Sequence, residues 1–469
     1  MKPNYLLLNL VVFLLLNTGN AQSIVGELKI DDNFMNIAQI SGKFNDSITF
    51  HLIVNKDKET KKYESNIVFF GETELIKKLK VSVHEEKPKY VGINVNDNVV
   101  TFFNEIDGEI QIYDIDYLSE KVNKVTGLLK PFYIFSTNNY VLFIYSSSKR
   151  YFDFALIKNT KEVIRKKYSS KSSILEQSFP EVNSDNSILV DNGDFVHKGF
   201  INDVKLFHYG SSLYALSEYK KNDRVKVVQY RFNGESEVNF FKVGNGDKIK
   251  QLNAFISKDL LFTFAMHKKV AQLDIYDLKS KQLLKSMTYS PDEFQYFNQV
   301  VKNGKDKTEN FSTKRFYNGF FSPAIGSTYN GQLYVGVNQT INNGYDIEIG
   351  HVDKNTFSYS SNSLTNSDGL IQSGQLMVYE IFASAKRKGN FFKVHLDKDL
   401  NFLKEQPVLK YEDQVDRIEK VNAWIGNSYS VNKHPNKSAI IPLPNFTRFI
   451  NYSRSDESYV IYNFSSRKF

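Results

Sequence analysis

Two short runs place carboxylates at spacings that acid–base chemistry could use: Asp114-Ile115-Asp116 and Asp274-Ile275-Tyr276-Asp277. A hydrolytic pair needs two carboxyl groups that converge on one bond, with pKa values driven apart. These pairs instead occupy equivalent positions in two similar hairpins, so a structural role is expected. For metal chemistry the chain offers no cysteine and eight histidines, His51, His84, His197, His208, His267, His351, His395 and His434, none spaced as a ligand pair. Asp191-Asn192-Gly193-Asp194 and Gly244-Asn245-Gly246-Asp247 carry calcium-compatible oxygens but lack the distal Glu of a helical calcium loop, and turn chemistry accounts for them. No Gly-x-Ser-x-Gly, His-Glu-x-x-His or phosphate-cradling glycine loop occurs. No catalytic, metal or cofactor residue is therefore assigned, and no cofactor is expected. Trp424 and His434, beside Pro435-Asn436-Lys437, form the best candidate ligand surface, although a lone Trp is commonly a core residue.

The elements that must position these residues are short strands in hairpins. In Val270 to Met287, Leu273-Asp274-Ile275-Tyr276 alternates at the two-residue period of a half-buried strand, Lys279 to Gln282 reverses the chain, and Leu283-Leu284 resumes it. Glu109 to Val122 repeats this pattern and is entered through Asp107-Gly108, a strong hairpin dipeptide. Polar turns of the same kind fall at Thr73, Tyr117, Thr160, Gly234, Ser280, Asn355 and Asp399, four of the six spacings being about 44 residues and two about 30 longer. That period belongs to a four-stranded blade, which buries both faces only by leaning on its neighbours. Tyr90 to Val95, Val99 to Asn104, Gln251 to Ile256 and Asp259 to Ala265 read as inner strands, and the many Phe and Tyr as packing between blades.

Asp107-Gly108-Glu109-Ile110-Gln111-Ile112-Tyr113-Asp114 resembles the turn and third strand of a WD-like or YVTN-like β-propeller repeat, and Asp274-Ile275-Tyr276-Asp277-Leu278 is similar. The resemblance implies an all-β propeller used as a binding platform. The Gly-His that precedes the innermost strand in that family is missing. The aspartate boxes of sialidase-type propellers, the repeated Trp of quinone-cofactor propellers and the double glycines of Kelch repeats are absent too. Counting the seven turns, plus a blade shared between Ile24 to Ile30 and the strands Lys420 to Ile425, Ala439 to Pro442 and Ser458 to Phe464, predicts eight blades, with seven as the alternative. Insertions are expected near 169–198 and 290–317. Ser290-Pro291-Asp292-Glu293, followed by Phe294, Phe297, Val300 and Val301, predicts a short amphipathic helix near 291–301.

The first 21 residues, with a single charge at Lys2 and an apolar run from Tyr5 to Leu16, read as a secretory signal peptide cleaved after Ala21, leaving one domain over 22–469. That run falls short of the roughly 20 residues of a spanning helix, so no transmembrane segment is expected after cleavage. Without Cys there is neither a lipid-attachment site nor a disulfide, and burial must hold the chain together. A formal charge of +8 is scattered in short runs such as Lys77-Lys78, Arg165-Lys166-Lys167 and Lys268-Lys269, which suit strand edges better than a nucleic-acid patch. The expectation is an exported bacterial monomer, periplasmic or secreted, that binds a glycan or protein without catalysis. A polysaccharide hydrolase or lyase, or a structural subunit of an envelope assembly, is the alternative.

Overall fold

The computed structural model describes residues 22–169, 187–190, 204–289, 299–306, 331–353, 389–410, 417–425 and 438–465, with short breaks at 132, 137–139, 149–150, 220–222, 245–247, 268–269, 303–304, 419 and 422. The expected signal peptide, most of both insertions and His434 lie outside these residues. The described strands form seven sheets, five of four strands and two of five. Blade 1 is Phe34–Lys43, Thr49–Asp57, Tyr63–Phe70 and Leu75–His84, and blade 2 is Lys89–Asn96, Val99–Ile106, Glu109–Asp116 and Val122–Leu129. Blade 3 is Tyr133–Ser136, Val141–Ser148, Tyr151–Ile157 and Val163–Ser169. Blade 4 is Val204–Tyr209, Ser212–Tyr219, Arg224–Arg231 and Ser236–Lys242, with Ser187–Val190 added in parallel along its first strand. Blade 5 is Gln251–Ser257, Leu260–Met266, Ala271–Asp277 and Leu283–Tyr289. Blade 6 combines Gly331–Gln339, Tyr345–Asp353 and Gly389–Leu396 with the earlier segments Gln299–Lys302 and Lys305–Asp306 on its outer side. Blade 7 takes Ser438–Pro442, Phe446–Ser453 and Ser458–Ser465 from the end of the chain and Gln22–Lys29 from its start, with Ile24 opposite Tyr462 and Lys29 opposite Ser458. The chain is a β-propeller.

Burial follows position within the blade. Leu260–Met266, a second strand, is buried along its whole length because neighbouring blades cover both of its faces. Leu75–His84, a fourth strand, is mostly exposed and carries Lys77, Lys78 and Lys80, while Val163–Ser169 carries Arg165, Lys166 and Lys167. Lysine on these open edges opposes edge-to-edge pairing. Apolar clusters join blade 1 to 2, 2 to 3, 3 to 4, and 4 through 5 to 6. Another joins blade 7 to blade 1. Between blades 6 and 7 the chain runs past Leu409, bridged to Thr340 of blade 6, to Ile418 and Val421, which pack on blade 7.

The described residues make seven blades, the alternative to the count of eight, and the marker at Asn355 lies outside them. Two expectations need correction. Lys420 to Ile425 is no strand: its described residues are helical, and the missing strand of blade 7 is Phe446–Ser453. The helix near 291–301 does not reach its predicted end, since Gln299–Lys302 pairs with Gly389–Leu396 and has given up helical spacing for a sheet edge; residues 290–298 lie outside the described set.

Three hairpins, the outer ones of blades 2 and 5 and the middle one of blade 1, share one turn. Asp116 accepts the amides of Leu118 and Ser119 at 2.9 Å each, and Glu120 closes the turn at φ 59°. Asp277 accepts Ser280 N, with Lys281 at φ 63°, and Asp57 accepts Glu59 N and Thr60 N, with Lys61 at φ 64°. In all three the left-handed residue donates its amide to the carbonyl of the Asp. This Asx turn uses the Asp that ends each strand, Asp57, Asp116 and Asp277.

Blade 7 is fastened to blade 1 by Arg448, whose side chain is fully buried. Its Nη1 donates to Thr49 Oγ1 at 2.8 Å and to the Phe70 carbonyl at 2.9 Å, its Nη2 to the carbonyls of Gly71 and Glu72, and its Nε to Asn463 Oδ1 at 3.0 Å. Arg448→Met takes the donors from the Phe70 and Gly71 carbonyls, while the Glu72 carbonyl keeps Asn463 Nδ2. We expect the substitution to lower unfolding free energy by about 2–4 kcal/mol in urea titrations, with Arg448→Lys recovering only part of the loss.

Candidate functional site

Of the candidate ligand surface, His434 lies outside the described residues and Trp424 is described. Trp424 sits in the helical stretch between blades 6 and 7, half-buried, with its ring 6.1 Å from Phe449, 5.4 Å from Tyr462 and 5.3 Å from Phe464. Those contacts use the indole as a strut for the connection. The paired acids divide their work. Asp114 accepts Thr101 Oγ1 and, across the blade interface, Thr160 N, each at 2.8 Å, whereas Asp116 holds its own turn. Asp274 accepts Gln272 Nε2 at 2.8 Å and Ser286 Oγ at 2.6 Å, and Asp277 again holds a turn. Backbone donors hold Asp116 and Asp277 below the usual carboxylate range. Neither pair converges on a shared point.

Buried charges do gather at places the sequence reading missed. Near the inner strands, Lys205 donates to Asn253 Oδ1 at 2.8 Å and the Ala254 carbonyl at 2.7 Å, and pairs with Glu218 at 3.3 Å. Asn253 Oδ1 also takes the Val335 amide at 3.0 Å, so one cluster ties the first strands of blades 4, 5 and 6. In blade 6, buried Asp346 lies 2.9 Å from His395 Nε2 and 3.1 Å from Lys393 Nζ, with Glu348 opposite Lys393 in register. Burial works to raise Asp346, but the His395 hydrogen bond and the Lys393 charge outweigh it and hold the carboxyl low. A buried Asp–His contact invites comparison with a general base. However, the other ring nitrogen, Nδ1, faces the Glu405 carbonyl at 3.3 Å, so both nitrogens are turned to groups of the protein itself. Among the described residues no three His, Asp or Glu side chains are arranged to hold a metal ion. The sequence signal for these clusters was a charged residue inside an apolar strand, as in Phe446-Thr447-Arg448-Phe449-Ile450 or Phe391-Phe392-Lys393-Val394-His395.

What the scaffold does present is asymmetric. Alternating strands put every second-to-third and blade-to-blade connection on one face, here called upper, and every first-to-second and third-to-fourth connection on the lower face. Three long connections, from Ser169 to Val204, from Tyr289 to Gly331 and from Asp353 to Gly389, start and finish at upper strand ends, whereas a fourth, from Leu396 to Ser438, starts at the lower end of its strand. The lower-face hairpins within each blade close within a few residues.

No family model matches the sequence, and no curated protein matches it. Solved structures similar to the chain include the β-propeller domain of the Trilobed protease from Pyrococcus furiosus, at 8% identity and a TM-score of 0.33 over 92% of this chain and 94% of that one. The WD40 domain of SCAP from fission yeast matches at 9% identity and a TM-score of 0.29, over 93% and 100%. The acylaminoacyl peptidase of Pyrococcus horikoshii matches at 10% and 0.25, over 67% and 57%.

His51 supplies a pH test of the seam beside Arg448. It is wholly buried between Thr49 Oγ1, 2.9 Å from Nε2, and Ser41 Oγ, 2.7 Å from Nδ1. Burial, helped by the Arg448 charge, holds its pKa well below the ordinary histidine value. The native ring therefore stays neutral while the unfolded one takes up a proton below about pH 6.5. Stability is fully present above that pH and is lost as pH falls, by up to about 1.4 kcal/mol per unit. We expect urea midpoints to fall between pH 7 and 5 more steeply for the native chain than for His51→Gln.

Proposed function

We propose that the chain is an exported, non-catalytic propeller that binds a macromolecule, a cell-surface glycan or a protein, through its upper face. The observation that carries this reading is that three of the four long connections start and finish on that one face, since binding residues concentrate on loops held by a rigid scaffold. The engagement of the described buried acids and bases in joining strands and blades supports a binding role over a hydrolase or lyase. Export rests on the leader at 1–21, with cleavage after Ala21 giving a released monomer that begins at Gln22. No helix among the described residues is long and apolar enough to cross a membrane.

The test uses the chain from Gln22 onward, immobilised against purified polysaccharides and envelope proteins, beside a variant in which a short Gly-Ser linker joins Asp353 to Gly389. The expected result is binding that the linker variant loses by at least tenfold at an unchanged melting temperature, with no release of new reducing or unsaturated sugar ends. Sustained release of such ends would establish an enzyme, and undiminished binding by the linker variant would move the site off this region of the upper face.

A further inference from the structure

The interface between blades 2 and 3 ends on the upper face in a polar mouth above an apolar floor. Phe103 and Phe143, both fully buried, meet there with ring centroids 5.4 Å apart. Two residues further along the same second strands, and so on the same sides of their sheets, stand Glu105 and Tyr145. Asp153, on the third strand of blade 3, lies directly opposite Tyr145 in register. Glu105 is fully engaged, with Lys89 at 3.0 Å on one oxygen and Lys130 on the other. Tyr145 and Asp153 are not. The Tyr145 hydroxyl and Asp153 Oδ1 are both shielded from water and have no hydrogen-bond partner, while the remainder of each side chain is half-exposed at the strand ends. Burial raises the Tyr145 phenol to about 12, so it keeps its proton and remains a donor at neutral pH.

An adjacent donor and acceptor, both unmet, match a group that accepts and donates at once. A sugar hydroxyl does this, and neighbouring hydroxyls on one ring can meet both atoms together. The surrounding charge narrows the class. Lys89 and Lys130 outnumber Glu105, Lys167 faces Asp153 in register, and Arg165 adds a further cation on the same side of the sheet. We infer that this mouth is a subsite for an acidic polysaccharide, whose hydroxyls bond Tyr145 and Asp153 once these half-exposed side chains turn outward, and whose carboxylates answer the surplus of cations. This deepens the macromolecule-binding reading and rests on it.

The test is calorimetry of the chain from Gln22 onward with alginate and polygalacturonate, against dextran and laminarin, at about 50 and about 300 mM salt. The expected outcome is binding of the acidic polymers alone, weakened by salt, and weakened at least tenfold in Tyr145→Phe and in Asp153→Asn with melting temperatures no lower than the native chain. Equal binding of the neutral polymers, or binding of none of the four, overturns the ligand class. Full affinity in both variants overturns the seat, and leaves the upper-face reading to be judged separately by the linker variant.

Discussion

The architecture depends on a single guanidinium. A ring of sheets has a seam where its last member meets its first, and here that seam joins strands from opposite ends of the chain with no disulfide to hold it. Arg448 crosses it with donors that match carbonyl oxygens left free where blade 1 turns from Phe70 to Glu72. Burial lowers the group to about 10, partly countered by Glu72, so it stays cationic at neutral pH. An arginine serves where a lysine would not, because its planar fork presents several fixed donors at once. The ring of Phe70 lies 5.5 Å from the guanidinium and that of Phe446 5.1 Å, so aromatic rings flank the charge with no carboxylate in direct contact.

The same device recurs with different chemistry around the ring. Asp114 reaches the turn of the next blade, Lys205 and Asn253 tie three inner strands, and Tyr459 donates to Asn36 across the seam at 2.9 Å. Apolar stacking alone is non-directional and would let neighbouring sheets slide. At these interfaces a buried, bonded polar group fixes the register at the cost of desolvation, and partial satisfaction would be worse than none. Tyr145 and Asp153 are among several described residues at which the scaffold's own bonding is incomplete.

Much of the fold was legible because it is written in short-range chemistry. Asp107-Gly108 forces a turn whatever surrounds it, Leu273-Asp274-Ile275-Tyr276 alternates because one face is buried, and the pairing of Ile24 to Ile30 with Ser458 to Phe464 followed from a blade short of one strand. The described residues make seven blades, while spacing, which measures only chain length, counted eight with seven as the alternative. Val300 and Val301 suit a helix face or a strand edge equally well, and the open edge of Gly389–Leu396 decided between them. The buried clusters were illegible for a different reason. Whether Arg448 or Lys393 faces solvent or a neighbouring blade depends on which sheet lies alongside, and one strand's periodicity does not contain that.

The central claim is that the two ends of the chain form one cooperative blade. Native-state hydrogen exchange on the strand Gln22–Lys29 tests it most directly, because those amides are protected only while the strand stays paired with Ser458–Ser465. The account predicts that the hydrogen-bonded amides of Gln22–Lys29 exchange with the same opening free energy as those of Ser458–Ser465 and of the fully buried Leu260–Met266. Free exchange along Gln22–Lys29, while the other blades stay protected, would contradict it.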